Sequence, residues 1–259
     1  MQDRYAGDLG DYLKLGLLRF LAPTGEPASP RLGVVWYRTA GETDNGDGKH
    51  VAYLRPEHRS AARLRQLDAE LYDRLAAIVA SGERSTAALA AAGVLGPATC
   101  FFDDVLDLRG LPVNARPARE ERRRSWLKRA EAATAGCDII FADPDNGIRS
   151  ARHRVPAHRT KAVKNAYLDE LAVFARRGQS LIVYHHADRS AAVKEQAAGR
   201  LQDLARELPI EPIAAVRASR GTTRLFLVAA SAAHARYLTD RLTALIASQW
   251  ESELSVHWY

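Results

Sequence analysis

Two short segments carry side chains suited to chemistry. Asp143-Pro144-Asp145-Asn146-Gly147 follows an apolar run, and His185-His186 closes another. A carboxylate at a strand end, fixed by the proline after it, suits accepting a hydrogen bond from a substrate amine, or ligating a metal ion. Without a ligand, the same five residues suit a helix N-cap and a turn. Neighbours in a strand point to opposite faces, so only one of His185 and His186 lines a given cleft. That one suits a base or an orienting group, against the alternative of a partly buried structural histidine.

Other strand ends are polar too. Asp103 and Asp104 follow the apolar CFF, and residues 44–50 (DNGDGKH) follow residues 31–38 (RLGVVWYR). The glycine-rich loop 41–48, with Gly46 and Gly48, lets a backbone approach a ligand closely. It lacks the phosphate-binding G-x-x-x-x-G-K-[ST] pattern, and its acids suit hydroxyls, amines, a cationic ligand or a metal. Its acidic positions also miss the offsets of a calcium-binding loop. Four polar strand ends on one rim point to a site, since ligands bind outside the carboxyl ends of open α/β sheets.

The elements that must hold these residues are legible from period and punctuation. Leu9, Leu13, Leu17 and Leu18 fall at helical spacing after Asp8, a candidate N-cap, and Pro23 stops the helix. Strands are expected at 31–38, 100–103, 138–143, 180–185, 213–217, 224–229 and 254–259. Helices are expected at 118–133, 162–175, 187–207 and 232–248. Strands alternating with helices predict an α/β fold whose mostly parallel sheet is covered on both faces, with an antiparallel C-terminal edge. The Ala/Leu-rich stretch 57–92 interrupts the alternation and reads as a helical subdomain inserted at 55–95 in one domain spanning 1–259.

The chain has 259 residues, 47% of them hydrophobic, enough to bury a core and exclude disorder as the dominant state. Its two cysteines, Cys100 and Cys137, lie far apart without a CxxC, so neither a disulfide framework nor a thiolate zinc site organises it. No apolar run reaches membrane-spanning length and no apolar leader follows Met1, so a cytoplasmic protein is expected. The net charge of +6 permits a nucleic-acid partner. Residues 119–129 combine Arg119, Arg122, Arg123, Arg124, Lys128 and Arg129 with Trp126. Residues 149–164 add Arg149, Arg152, Arg154, Arg159, Lys161 and Lys164. Both segments suit RNA or DNA phosphates, or a solvated charged face.

Ala6-Gly7-Asp8-Leu9-Gly10-Asp11-Tyr12-Leu13-Lys14 resembles the N-terminal A-G-N-x-A-D-x-L-K motif of the bacterial 23S ribosomal RNA adenine N-methyltransferases. The order of a helix motif, strand, glycine loop, helical insertion and D-P strand end is similar over most of the chain. Gly46-Asp47-Gly48-Lys49 stands where that family has G-A-G-R. Asp145 and Asn146 replace the second proline and the aromatic of its D-P-P-Y. The resemblance implies a Rossmann-like class I methyltransferase fold that binds S-adenosylmethionine. It implies that Gly7, Lys14, Gly46 and Gly48 face the cofactor, with Asp103 or Asp104 beside its adenine. It implies that Asp143 holds the target amine for in-line transfer. The expected function is methyl transfer to an amine of a nucleic acid or related substrate, with Asp145, His185 and His186 in the catalytic set. Two alternatives are a metal-dependent nuclease or phosphoesterase, drawing on Asp143, Asp145, Asp104 and one histidine, and a non-catalytic nucleic-acid-binding module.

Overall fold

Short runs of β-branched and aromatic residues form the inner strands, because both faces of these are buried between helices. The computed structural model describes residues 2–26, 29–39, 48–149 and 156–259. Its central sheet has seven strands, in the order β2 (Cys100–Phe102), β1 (Leu32–Trp36), β3 (Ile139–Asp143), β6 (Ser180–His186), β8 (Arg224–Ala230), β7 (Glu211–Ala218) and β9 (Leu254–Trp258). β2, β1, β3 and β6 are mutually parallel. β8 runs antiparallel to both β6 and β7, and β9 runs antiparallel to β7. This α/β arrangement is compatible with a Rossmann-like fold. From β1 the chain first goes to β2 on one side, then crosses to β3 on the other. The carboxyl ends of β1 and β3 therefore flank a topological switch point.

One face of the sheet is covered by α1 (Leu9–Leu21), α2 (Ala61–Leu67), α3 (Ala69–Ser81), α4 (Thr86–Ala91) and α8 (Ala235–Ile246). The opposite face is covered by α5 (Arg116–Ala133), α6 (Leu168–Arg176) and α7 (Val193–Glu207). Strand alternation divides the core accordingly. Ile139 and Phe141 of β3 join the α1 side, while Ile140 and Ala142 join the α7 side. α1 begins as its sequence requires, with the Asp8 carboxylate accepting from the Asp11 N–H at 2.8 Å. The stretch expected as one inserted helical subdomain is three short helices. Leu64, Leu71, Leu75 and Leu89 bury it in the same apolar cluster as Leu13 and Leu17 of α1.

The region expected as a helix over 162–175 is different. A 3-10 turn at Thr160–Lys164 leads into β5 (Asn165–Tyr167), which pairs in parallel with β4 (Gly147–Arg149). The helix starts only at Leu168, where the Glu170 carboxylate accepts from the Tyr167 N–H at 3.1 Å. That acid fixes the boundary, and the apolar spacing upstream does not. Among the described residues no helix is long and apolar enough to cross a membrane.

Candidate functional site

Alternation along the strands decides which chemistry-bearing side chains meet. Continuing the series of Ile139 and Phe141, Asp143 points to the α1 side of the sheet. Tyr184 belongs to the same side as Ile182, and His186 follows it two residues on. β8 runs the other way, so its first residue, Arg224, pairs with His186 and reaches the same edge. These groups line one cavity of about 420 Å³, together with Asp8, Asp11 and Lys14 of the α1 end and Asp145. A volume of that order suits a small-molecule ligand. Gly48 and His50 close one wall, and Lys164 and residues 220–222 contribute to the others.

A buried charge cluster forms the floor. The Lys14 ammonium lies 2.7 Å from Asp11 and 2.9 Å from Asp143, and 4.9 Å above the centre of the Trp36 ring. Burial would lower its pKa, but the two carboxylates outweigh burial and hold Lys14 above the usual lysine range. Burial, with the charges of Asp8 and Asp143, pushes the Asp11 carboxyl up to about 6 against the pull of Lys14. Asp145 accepts from the Gln2 amide at 3.1 Å and from the Thr39 hydroxyl at 3.5 Å. Burial alone would raise its carboxyl, yet surrounding positive charge, Lys164 included, and the Gln2 hydrogen bond hold it below the ordinary range.

The histidines separate as strand geometry demands. His186 is at the cavity, 3.3 Å from the Tyr184 hydroxyl. His185 faces the opposite layer and is not part of it. Its Nδ1 accepts from the Ile148 N–H at 3.2 Å, and its Nε2 lies 3.3 Å from Arg200. Burial, then the Arg200 charge, lowers its pKa to about 3, so it is a neutral structural imidazole. Gly147 (φ +88°) owes its identity to this packing, because a Cβ there would sit 2.2 Å from His185 Nδ1.

Three further expected site residues lie elsewhere. Asp104 pairs with Arg129 at 2.7 Å, and Asp103 stands 4.0 Å from Arg38; neither lines the cavity, because β2 is the far edge strand. Gly7 (φ +79°) also stands outside it. Its N–H donates to Asp11 at 3.3 Å and its carbonyl accepts from the Tyr53 hydroxyl at 3.2 Å, so it shapes the turn that presents Asp8 and Asp11. Gly46 lies outside the described residues. Gly48 (φ +76°) lines the cavity, and a Cβ there would meet the Arg4 carbonyl oxygen at 2.3 Å.

The basic segments are less exposed than their composition suggests. Arg119 and Arg123 are buried with Trp126 on the inner face of α5. Arg119 donates to the Leu111 carbonyl and the Thr160 hydroxyl; Arg123 donates to Glu170 and to the Ala162 and Asn165 carbonyls. Both tie the 160–170 segment to α5. Arg149 donates to the Asn165 side chain, and Arg152 and Arg154 lie outside the described residues. Arg122, Lys128, Arg159 and Lys161 remain exposed.

Sequence reasoning missed Tyr184 and Arg224 as site residues. Tyr184 had a signal, since a residue two before His186 shares its face. Arg224 had none until the reversed direction of β8 was known. Gly10 makes room for it, because a Cβ there would lie 2.5 Å from the Arg224 guanidinium. No protein-family model matches the chain, and no curated protein matches it significantly.

Proposed function

We propose that this protein is an S-adenosylmethionine-dependent methyltransferase acting on an amine, with a nucleic acid or a nucleoside-like molecule as substrate. The observation that carries this reading is Asp143. Its carboxylate stands at the carboxyl end of the strand beside the switch point, in a cavity, held by a lysine from the N-terminal helix motif. The reversed strand β8 between β6 and β7 supports the same reading, since a closing hairpin is part of the resemblance.

The donor set fits such a cofactor. Its cationic groups match Asp8, and its carboxylate matches Arg224 and Arg220. Tyr5 offers aromatic surface for its flat ring. When bound, the cofactor supplies the electrophilic methyl group. The protein's part is positioning. Asp143 accepts a hydrogen bond from the target amine and so aims the nitrogen lone pair. Lys14 holds that carboxylate at 2.9 Å in its rotamer. The motif's aromatic is Asn146 here, so Tyr184, on the neighbouring strand, takes the stacking role. Exposed Arg122, Lys128, Arg159 and Lys161 suit a phosphate backbone.

A metal-dependent hydrolase would need a divalent ion between carboxylates. Here the Lys14 ammonium already stands between Asp11 and Asp143. The test is a melting screen with S-adenosylmethionine and S-adenosylhomocysteine, followed by transfer of labelled methyl to RNA, DNA and nucleosides. At ligand concentrations near 100 times Kd, the melting temperature should rise by about 5 °C or more. Asp143→Asn should keep that rise and lose roughly 100-fold or more in transfer. No rise at millimolar ligand would sink the assignment.

A further inference from the structure

The chain's two cysteines, remote in sequence, lie on one face of the sheet, on either flank of β1. Cys100 opens β2 and pairs in register with Gly33 of β1, so its side chain leaves the sheet on the same side as a Cβ on Gly33 would. Cys137 precedes β3 on the other flank of β1, and its Sγ sits 3.0 Å from where that Cβ would stand. Gly33, the register partner of Cys100, therefore leaves open the space that Cys137 occupies. Both belong to the apolar layer on the α7 side, Cys137 buried and Cys100 half-exposed. Arg31 and Asp138 both lie alongside and act on Cys137 with opposite signs.

We infer that Cys100 and Cys137 form a reversible disulfide site, oxidised by a peroxide and reopened by thiol exchange. The half-exposed Cys100 attacks first. Its thiolate sulfur bonds to one peroxide oxygen, the O–O bond breaks, and the departing hydroxide takes a proton and leaves as water. Cys137 then displaces the hydroxyl of the Cys100 sulfenic acid. The S–S bond forms, the S–O bond breaks, and the Cys137 proton leaves with the second water. Two thiols are oxidised and one peroxide is reduced to two waters. Burial, then the Cys100 thiol beside it, pushes the Cys137 thiol up to about 12, so Cys137 is not the thiol that meets the peroxide first. Cys137 precedes β3 and its Cβ stands 3.1 Å from where a Cβ on Gly33 would be, so the bond would form over Gly33, at the sheet edge remote from the cavity and independent of the methyltransferase reading.

The test treats the full-length reduced protein with hydrogen peroxide, and in parallel with diamide. Intact mass should fall by about 2 Da, with both thiols lost and a peptide joining residues 100 and 137. Dithiothreitol should restore both thiols. The oxidised protein should melt higher, on the order of 5 °C, because the bond closes a long loop. Cys100→Ser and Cys137→Ser should each abolish the cross-link. In denaturing guanidinium its formation should slow at least about tenfold, since native packing supplies the approach. Folded wild-type protein that keeps both thiols, gains only oxygen, or cross-links only between molecules under both oxidants would overturn the proposal.

Discussion

The Lys14 ammonium lies 2.9 Å from the Asp143 carboxylate, a contact between residues 129 positions apart that seats α1 on the end of β3. Asp11 approaches the same ammonium at 2.7 Å. One cation thus serves two buried carboxylates. Lys14→Met should leave two like charges in a dry site and cost roughly 3–5 kcal/mol in urea unfolding at neutral pH. Adding Asp11→Asn should recover part of that loss. A cost below about 1 kcal/mol for the single variant would show that the cluster is solvated.

The two most shifted acid-range groups act on stability with opposite signs. The Asp11 carboxyl is raised from 3.8 to about 6 in the folded protein. Its contribution is complete below its unfolded pKa and is lost as pH rises through about 6. His185 is lowered from 6.5 to about 3. Its contribution is complete above its unfolded pKa and is lost as pH falls toward about 3. The wild type should therefore show a shallow profile over pH 4–6. Asp11→Asn should make stability climb more steeply with pH there, and His185→Gln should make it climb less. Urea midpoints across that range separate the two. Equal slopes in all three proteins would contradict both assignments.

Much of the fold was legible because local signals agreed with it. The leucine spacing and the Asp8 cap gave α1, and the short apolar runs gave the strands. β4 and β5 were not legible, since GIR and NAY, unlike the equally short CFF of β2, form no apolar run. The candidate site was legible in part. Period-two alternation required His185 and His186 to part, but only the register of β6 against β3 decides which of them shares the face of Asp143. The hidden arginines illustrate a different limit. Arg119, Arg123, Trp126 and Ala130 fall at helical spacing and form one buried stripe. Their charge disguised it, because the acid that compensates Arg123 is Glu170, on another helix.

That pair yields a prediction with a built-in contrast. Arg123 and Glu170 are buried, and a second Arg123 nitrogen reaches Glu170 at 2.9 Å. Arg123→Met should strand the carboxylate and destabilise by about 3–5 kcal/mol. Arg122→Ala, on the exposed face of the same helix, should change stability by no more than about 0.5 kcal/mol. If RNA or DNA binds this face, Arg122→Ala should also reduce affinity and flatten its salt dependence. Unfolding curves and a salt titration of binding distinguish structural from surface arginine.

Gly48 and Gly25 both adopt left-handed backbone, at φ +76° and +87°, yet their surroundings differ. A Cβ on Gly25 meets nothing within 4 Å, whereas one on Gly48 meets the Arg4 carbonyl oxygen at 2.3 Å. The Gly48 carbonyl is further tied to Arg84 at 2.8 Å, and Arg84 reaches the Ala6 carbonyl at 2.7 Å. Backbone on both sides leaves no flexible atom to yield. Gly25→Ala should cost only the local strain, about 1 kcal/mol. Gly48→Ala should cost more than that and separate the 3-10 turn at Asp3–Tyr5 from the cavity wall. Because Tyr5 and Gly48 line the cavity together, Gly48→Ala should also abolish a cofactor-induced melting shift that Gly25→Ala retains. Equal stability in the two variants would mean that residues 4 and 48 do not meet at this distance.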